Sequence, residues 1–399
     1  MYAAIAGLKT HMSKLNVIGN NVANVNTYGY KSTRAVFSDT MYTTSKSGSN
    51  GTQFVGGRNP SQVGYGVNVR SIDLNMTTGN FAATGYTMDC MIDGDGFFLT
   101  SDRKDTVVDP TDPSTMTLSR LGTFYFGPDG YLTDGENVVY GFQAIGTYID
   151  KNGEEQPLVS KQLTPIRLPT TSDDGKQTYW PKEVVTGTGA NATVSIVDRD
   201  PQSATFDQTT GAITKYPDPA TGDTSSMKRV TYSSLSIDGK TGKITGINNE
   251  TKKVQTLGYI AIGTVSNPNG VTHQGGPYYK AMEGAGQLKV ASIGGAIKGN
   301  MNSTVAAAAD LETGFGTLGQ DKLDQTTQEI GYADMQDKAE VGIADTGKTV
   351  LQTGGLELSG ADLATEISEM ITTQRGYQAN TRIVTVTDSM LEELVNMKR

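Results

Sequence analysis

The sequence predicts a multidomain α+β protein: coaxial helices at the two ends forming the core of a polymer, with β-rich domains nested between them. Three observations carry this. Met1, Ile5, Leu8, Met12, Leu15, Gly19 and Val22 recur at alternating steps of four and three. Leu363, Ile367, Met370, Gln374, Tyr377, Thr381, Val384, Asp388, Leu391 and Val395 keep the same rhythm at the far end. That rhythm is the heptad signature of helices packed lengthwise on other helices. The long middle is rich in Gly, Thr and Asn and alternates short apolar runs with turn residues, which is strand-and-turn grammar. Adhesive helical ends around a β body point to a subunit of an assembly rather than to an enzyme.

The first helix is predicted over residues 1–24. It stops in Asn24-Val25-Asn26-Thr27-Tyr28-Gly29, where glycine and asparagine favour a left-handed exit. Residues 31–70 hold few periodic apolar positions, and Ser45-Lys46-Ser47-Gly48-Ser49-Asn50-Gly51 reads as a linker. Val63, Tyr65, Val67 and Val69 then alternate as one strand. Asp93-Gly94-Asp95-Gly96 is expected to turn a hairpin between the apolar runs before and after it. Pro128-Asp129-Gly130 and Asp238-Gly239 are expected to turn two more. Residues 288–348, with the alanine run 306–309 and an acidic stretch 321–344, carry no clear pattern. The last helix is predicted over 360–397, capped by Ser359 or Asp362. At ~1.5 Å per residue it runs on the order of 55 Å, against ~36 Å for the first.

Composition narrows the function. Glycine supplies 48 of 399 residues without a collagen period, so it belongs to turns. A net charge of −9 argues against a nucleic-acid backbone as partner. No apolar run approaches the ~20 residues of a membrane span, and the first residues lack the basic and apolar regions of a cleaved signal. The single cysteine, Cys90, excludes an intrachain disulfide and reads as a small apolar filler. His11 falls in the first helix as a surface or interface residue, and His273 in a Gly/Asn/Pro-rich loop. Two histidines are too few for a His-rich zinc site, and no nucleophile elbow accompanies them. No catalytic, cofactor-binding or metal-binding residue is expected. Phe97, Phe98 and Leu99 follow the Asp-Gly repeat where a calcium loop needs oxygen ligands.

For the terminal heptads, two partners are conceivable: each other within one chain, or sister chains. Unequal lengths, and the polar Gln374, Thr381 and Asp388 in the second stripe, argue for sister chains and for ends poorly ordered in a free subunit. The candidate interface is Ile5, Leu8, Met12, Leu15, Val22, Leu363, Ile367, Met370, Tyr377, Val384, Leu391 and Val395.

Leu15 to Asn24, with Asn20, Asn21 and Asn24, followed by Thr27-Tyr28-Gly29-Tyr30-Lys31, resembles the N-terminal motif of the axial rod and hook proteins of the bacterial flagellum. Ile92 to Phe98, Ser119-Arg120-Leu121-Gly122-Thr123-Phe124 and Gly130-Tyr131-Leu132 resemble later motifs of that family. Leu356-Glu357, Asp362-Leu363 and Gln374-Arg375-Gly376-Tyr377-Gln378-Ala379-Asn380 resemble its C-terminal motif. Gly57 to Gly64 and Asn267-Pro268-Asn269-Gly270-Val271 resemble the hook branch of the family. Two departures stand out: Gly360-Ala361 precedes Asp-Leu where the family has Asn-Val, and residues 288–348 fill a gap that is short elsewhere.

The resemblance implies a flexible helical tube that couples the motor's rod to the filament and transmits torque. It implies a helical core from 1–29 and 357–399, a connecting arm from 30–70, and an inner β domain from 71–145, 257–287 and 349–356. It implies an outer β domain from 146–256 and an extra domain or loop from 288–348. Its implied partners are copies of itself, a distal rod protein, a hook cap protein, a hook–filament junction protein and the type III export apparatus. The implied location is the extracellular hook of the flagellum, reached without a cleaved signal peptide. No cofactor, nucleic acid or membrane insertion is implied. Two alternatives stay open: a distal rod subunit of the same family, and a secreted β-rich adhesin or glycan-binding module.

Overall fold

The protein is described by a computed structural model covering residues 2–51, 56–102, 116–149, 155–171, 178–186, 193–199, 205–206, 213–215, 228–297, 344–347 and 349–397. Most of the patternless segment, 298–343, therefore lies outside the described residues, as does Met1. The chain divides into two compact units, one of residues 1–77 and 359–399 and the other of 78–358.

The first unit holds both helices. Helix α1 spans Tyr2–Ala23. It ends where the Asn24 side-chain amide donates to the Asn20 carbonyl at 2.9 Å, and Gly29 takes the positive φ of 69° that lets the chain reverse. Strands β1 (Thr33–Asp39) and β4 (Val67–Leu74) pair antiparallel, with a bulge between Val36 and Phe37. Beyond them β2 (Tyr42–Lys46) pairs with β3 (Ser61–Gly64), and a further bridge joins Ser49 to Arg58. The expected linker is thus partly strand. The expected single strand through Val63 to Val69 is broken at Tyr65-Gly66 into β3 and β4. The reason is that β2 and β3 are exposed on both faces. Their pairing rests on main-chain hydrogen bonds, which leave no apolar alternation to read. Helix α2 spans Leu363–Met397. Asp362 caps it, accepting from the Ala364 amide at 3.2 Å and the Thr365 hydroxyl at 2.6 Å, and that second bond holds its carboxyl below the usual range.

The second unit is β-rich. Its largest sheet follows the order Tyr232–Ile237, Lys243–Asn248, Val254–Val265, Val138–Ile149, Phe97–Ser101, Thr117–Ser119, Tyr278–Ala281, Val271–Gly275. Val254–Val265 is long enough to touch four neighbours, pairing also with Phe97–Ser101 and with Leu288–Ser292. The last strands of the segment expected as an outer domain, 146–256, therefore lie in this sheet. The start of the expected extra segment does too, since Leu288–Ser292 pairs with Val254–Val265 and, parallel, with Ala344–Asp345. A separate small sheet joins Thr170–Thr171 to Thr178–Thr186 and Lys228–Arg229, and Thr178–Thr186 to Thr193–Arg199.

Two of the three expected hairpins form, Tyr125–Phe126 with Leu132–Thr133 and Tyr232–Ile237 with Lys243–Asn248. The third does not. Asp93-Gly94-Asp95-Gly96 turns the chain, but Cys90–Asp93 pairs with Val350–Thr353 while Phe97–Ser101 enters the large sheet. His273 lies on the edge strand Val271–Gly275, not in a loop, with its ring 4.2 Å from that of Tyr279. Cys90, Ile92, Phe98, Phe124, Leu132, Ile260, Ile262 and Leu351 lie in the core. Burial pushes the Cys90 thiol far above its ordinary range, in keeping with a filler role.

Arg120 is fully buried there. Its guanidinium donates to the Gly94 carbonyl at 2.8 Å and the Ile92 carbonyl at 3.2 Å, and it meets Glu357 at 3.5 Å. Glu357 in turn accepts from the Gly79 amide at 2.7 Å. Burial lowers the Arg120 pKa and the Glu357 charge opposes that shift.

Candidate functional site

Helices α1 and α2 run antiparallel along one another. Gly7 faces Asn380, His11 faces Gly376 and Asn21 faces Glu366, so a step along one helix is matched by an equal step backwards on the other. A Cβ on Gly7 would lie 2.8 Å from the Asn380 amide nitrogen, and one on Gly376 would lie 2.8 Å from the His11 ring. Small residues thus let the two helices approach. Lys14 reaches Glu369 at 2.9 Å across the same seam. Helix α1 also rests on the strands: the Thr10 hydroxyl lies 3.2 Å from the Val67 carbonyl, and His11 meets Phe37 edge-on at 6.1 Å.

Of the two partners conceivable for the terminal helices, the one that the unequal lengths and polar stripe residues argued against, each other within one chain, is therefore met in the structure. The seam uses a stripe one position away from the apolar heptad. Its α1 members include Gly7, His11, Lys14 and Asn21, facing Asn380, Gly376, Glu369 and Glu366 on α2. The missed residues (Gly7, Lys14, Glu366, Glu369, Thr373 and Gly376) are small or polar and carry little hydropathic signal.

The expected interface residues stay largely outward. Ile5 (47%) and Met12 are exposed, and Leu8, Leu15 and Val22 are half-buried. Leu363, Ile367 and Tyr377 are exposed, while Met370 and Val384 are half-buried. Leu391 (50%) and Val395 (66%) lie on the last turns of α2, where every residue from Asp388 to Met397 is exposed. Ile383, Val386, Met390 and Leu394 add apolar surface to the same end.

At the other end of the seam the motif asparagines form a polar cluster. Asn21, 1% exposed, donates to Glu366 Oε1 and to the Thr33 carbonyl, both at 2.8 Å. Its Oδ1 accepts from the Tyr30 hydroxyl and the Thr33 amide, both at 3.0 Å. Asn20 donates to the Tyr30 hydroxyl at 3.0 Å. Burial raises the pKa of Tyr30, and burial also raises that of Glu366. Gln374 and Arg375 point to solvent on α2.

Family models match at both ends, "Flagella basal body rod protein" over residues 1–31 and "Flagellar basal body rod FlgEFG protein C-terminal" over 352–397. The chain is also 25% identical to the flagellar hook protein FlgE of Borreliella burgdorferi, covering 100% of this chain and 99% of that one. These matches support a flagellar rod or hook protein. This axial protein is likewise 28% identical to the basal-body rod protein FlgG of Bacillus subtilis, over 100% of this chain and 98% of the relative. It is 27% identical to the hook protein FlgE of Escherichia coli K12 over 99% of each. The two family matches fall on the elements that build the helical pair and its polar cluster. Among the described residues no cluster of His, Cys, Asp and Glu is suited to a metal ion, and no helix is long and apolar enough to cross a membrane.

Proposed function

We propose that this axial protein polymerises head-to-tail into the flagellar hook, a flexible tube whose inner wall is made of α1 and α2 and whose outer shells are made of the β domains. The observation that carries the reading is the exposed apolar surface left after the two helices have paired. Burying a Leu, Ile or Val side chain contributes roughly 1.5–3 kcal/mol, so one already half-covered contributes about 1 kcal/mol. Ile5, Leu8, Met12, Leu15, Val22, Leu363, Ile367, Met370, Tyr377, Val384, Leu391 and Val395 supply the cohesion. A head-to-tail contact that does not close on itself grows into a helical tube. The subunit is structural, not enzymatic, and the family matches replace the adhesin reading.

The proposal includes the distal rod protein, hook cap protein and hook–filament junction protein as neighbours at the ends of the tube. It places the tube outside the cell, after passage through the type III export apparatus without a cleaved signal. The test is the double variant Leu8→Asp with Leu391→Asp: a soluble, folded monomer that forms no tubes under negative stain is expected. Normal tubes from that variant would refute the assignment. A rod subunit is the second reading, supported by the full-length similarity to a FlgG. Straight, rigid polymers would favour the rod, and curved ones the hook.

A further inference from the structure

Gly7, Lys14 and Asn21 on α1, and Glu366, Thr373 and Asn380 on α2, recur every seven residues, so spacing alone does not choose between pairings that differ by one heptad. Sliding α1 seven residues toward the end of α2 brings Asn21 opposite Thr373, His11 opposite Ile383 and Gly7 opposite Thr387. Of the bonds Asn21 makes, those to Tyr30 and Thr33 orient its amide, and only the bond to Glu366 crosses to α2. Lys14–Glu369 also crosses, but both side chains are partly exposed, at 26% and 46%, and re-pair readily. Gly360 donates to the Tyr30 carbonyl at 2.9 Å and accepts from the Ser32 hydroxyl at 3.1 Å. These two bonds join residues outside both helices.

We propose that Asn21 is a register-setting residue: its buried amide, held by Tyr30 and Thr33 and aimed at Glu366, selects one of the heptad-related pairings of α1 with α2. A buried asparagine in a helical seam specifies register because another alignment takes Glu366 away from one of its two amide N–H groups, leaving that donor to find a new partner. The register decides which residues of α2 extend past α1. That consequence for tube growth rests on the proposed function, whereas the register itself is a property of the single chain.

The experiment uses the full-length monomer with one of two cysteine pairs, His11→Cys with Gly376→Cys or His11→Cys with Ile383→Cys, oxidised and mapped by peptide mass spectrometry. Cys90 is buried and remains in place. With Asn21 present, linkage to position 376 alone is expected. In Asn21→Leu, linkage to 383 should rise at least several-fold. Glu366→Gln, which keeps the accepting Oε1, should behave like the parent. Linkage confined to 376 in Asn21→Leu would overturn the proposal, as would slippage in Glu366→Gln. Loss of both linkages together with helix content would also overturn it, because Asn21 would then hold the pair together without choosing its register. Tube formation by the same variants is scored separately, so failure of the register idea and failure of the assembly reading are distinguishable.

Discussion

Removing the carboxylate of Glu357 should be the most damaging single change in the second unit. Arg120 is fully buried and meets Glu357 at 3.5 Å, across 237 residues of sequence, with Asp95 as a second, weaker negative neighbour. Breaking a buried ion pair from one side costs about 3–5 kcal/mol, because the remaining charge is left without compensation. Glu357→Leu also orphans the Gly79 amide, which now donates to Oε1 at 2.7 Å and is worth about 1–3 kcal/mol if it stays dry. For a unit of this size each kcal/mol lowers Tm by about 2–4 °C, so the expected fall is about 6–20 °C. Arg120→Met should fall by a similar amount. The double variant removes both charges and leaves neutral groups, among them the Gly79 amide and the Gly94 and Ile92 carbonyls, to be satisfied. It should lose less than the two single losses combined, with a coupling of at least about 2 kcal/mol. Calorimetry on the three variants measures this directly. Additive losses would show that the two charges do not sense each other, and the account of this core would fail.

Gly122→Ala places a Cβ only 1.7 Å from the Cys90 carbonyl oxygen; a loss of about 1–3 kcal/mol or more is expected by chemical denaturation. Gly7→Leu should drive the helices apart at the Asn380 contact, costing about 1–3 kcal/mol by far-UV melting while leaving the β-unit transition in place. Glu366 titrates above its ordinary value because burial penalises its charge. The folded state therefore holds its proton where the unfolded chain has lost it, and stability of the helical pair falls as pH rises from about 4.3 through the raised pKa. Glu366→Gln should abolish that slope in a Tm-against-pH series, and an unchanged slope would assign it to another group.

The two helices were legible because long periodic segments announce themselves, the second also through its capping aspartate, Asp362. The predicted spans 1–24 and 360–397 differ from Tyr2–Ala23 and Leu363–Met397 only at their ends. Hairpins turned by Pro128-Asp129-Gly130 and Asp238-Gly239 were legible because both partners lie beside the turn. Asp93-Gly94-Asp95-Gly96 misled because turn chemistry specifies a reversal but not the partner. The partner of Cys90–Asp93 is Val350–Thr353, some 250 residues away. The pairing of β2 with β3 was illegible for a different reason, since neither face is buried and no alternation follows.

The seam between the helices shows what an apolar stripe does and does not say. A heptad of large side chains marks a surface that must leave water, but it does not name what covers it. Within this chain α1 meets α2 through Gly7, His11, Asn21, Glu366, Gly376 and Asn380, residues that hydropathy ignores, while Ile5, Met12, Leu391 and Val395 stay exposed. Had the large residues formed the intrachain seam, pairing would have consumed the apolar surface and left a polar outer face. A close-packed seam of small and polar residues allows the opposite arrangement, in which a formed helical pair still presents its apolar stripe outward. Exchanging the two stripes tests this: placing leucines at Gly7 and Gly376 and serines at Ile5 and Leu391 should leave a monomer that no longer assembles. If that variant built tubes as well as the parent, the outward stripe would not be what holds neighbouring subunits together.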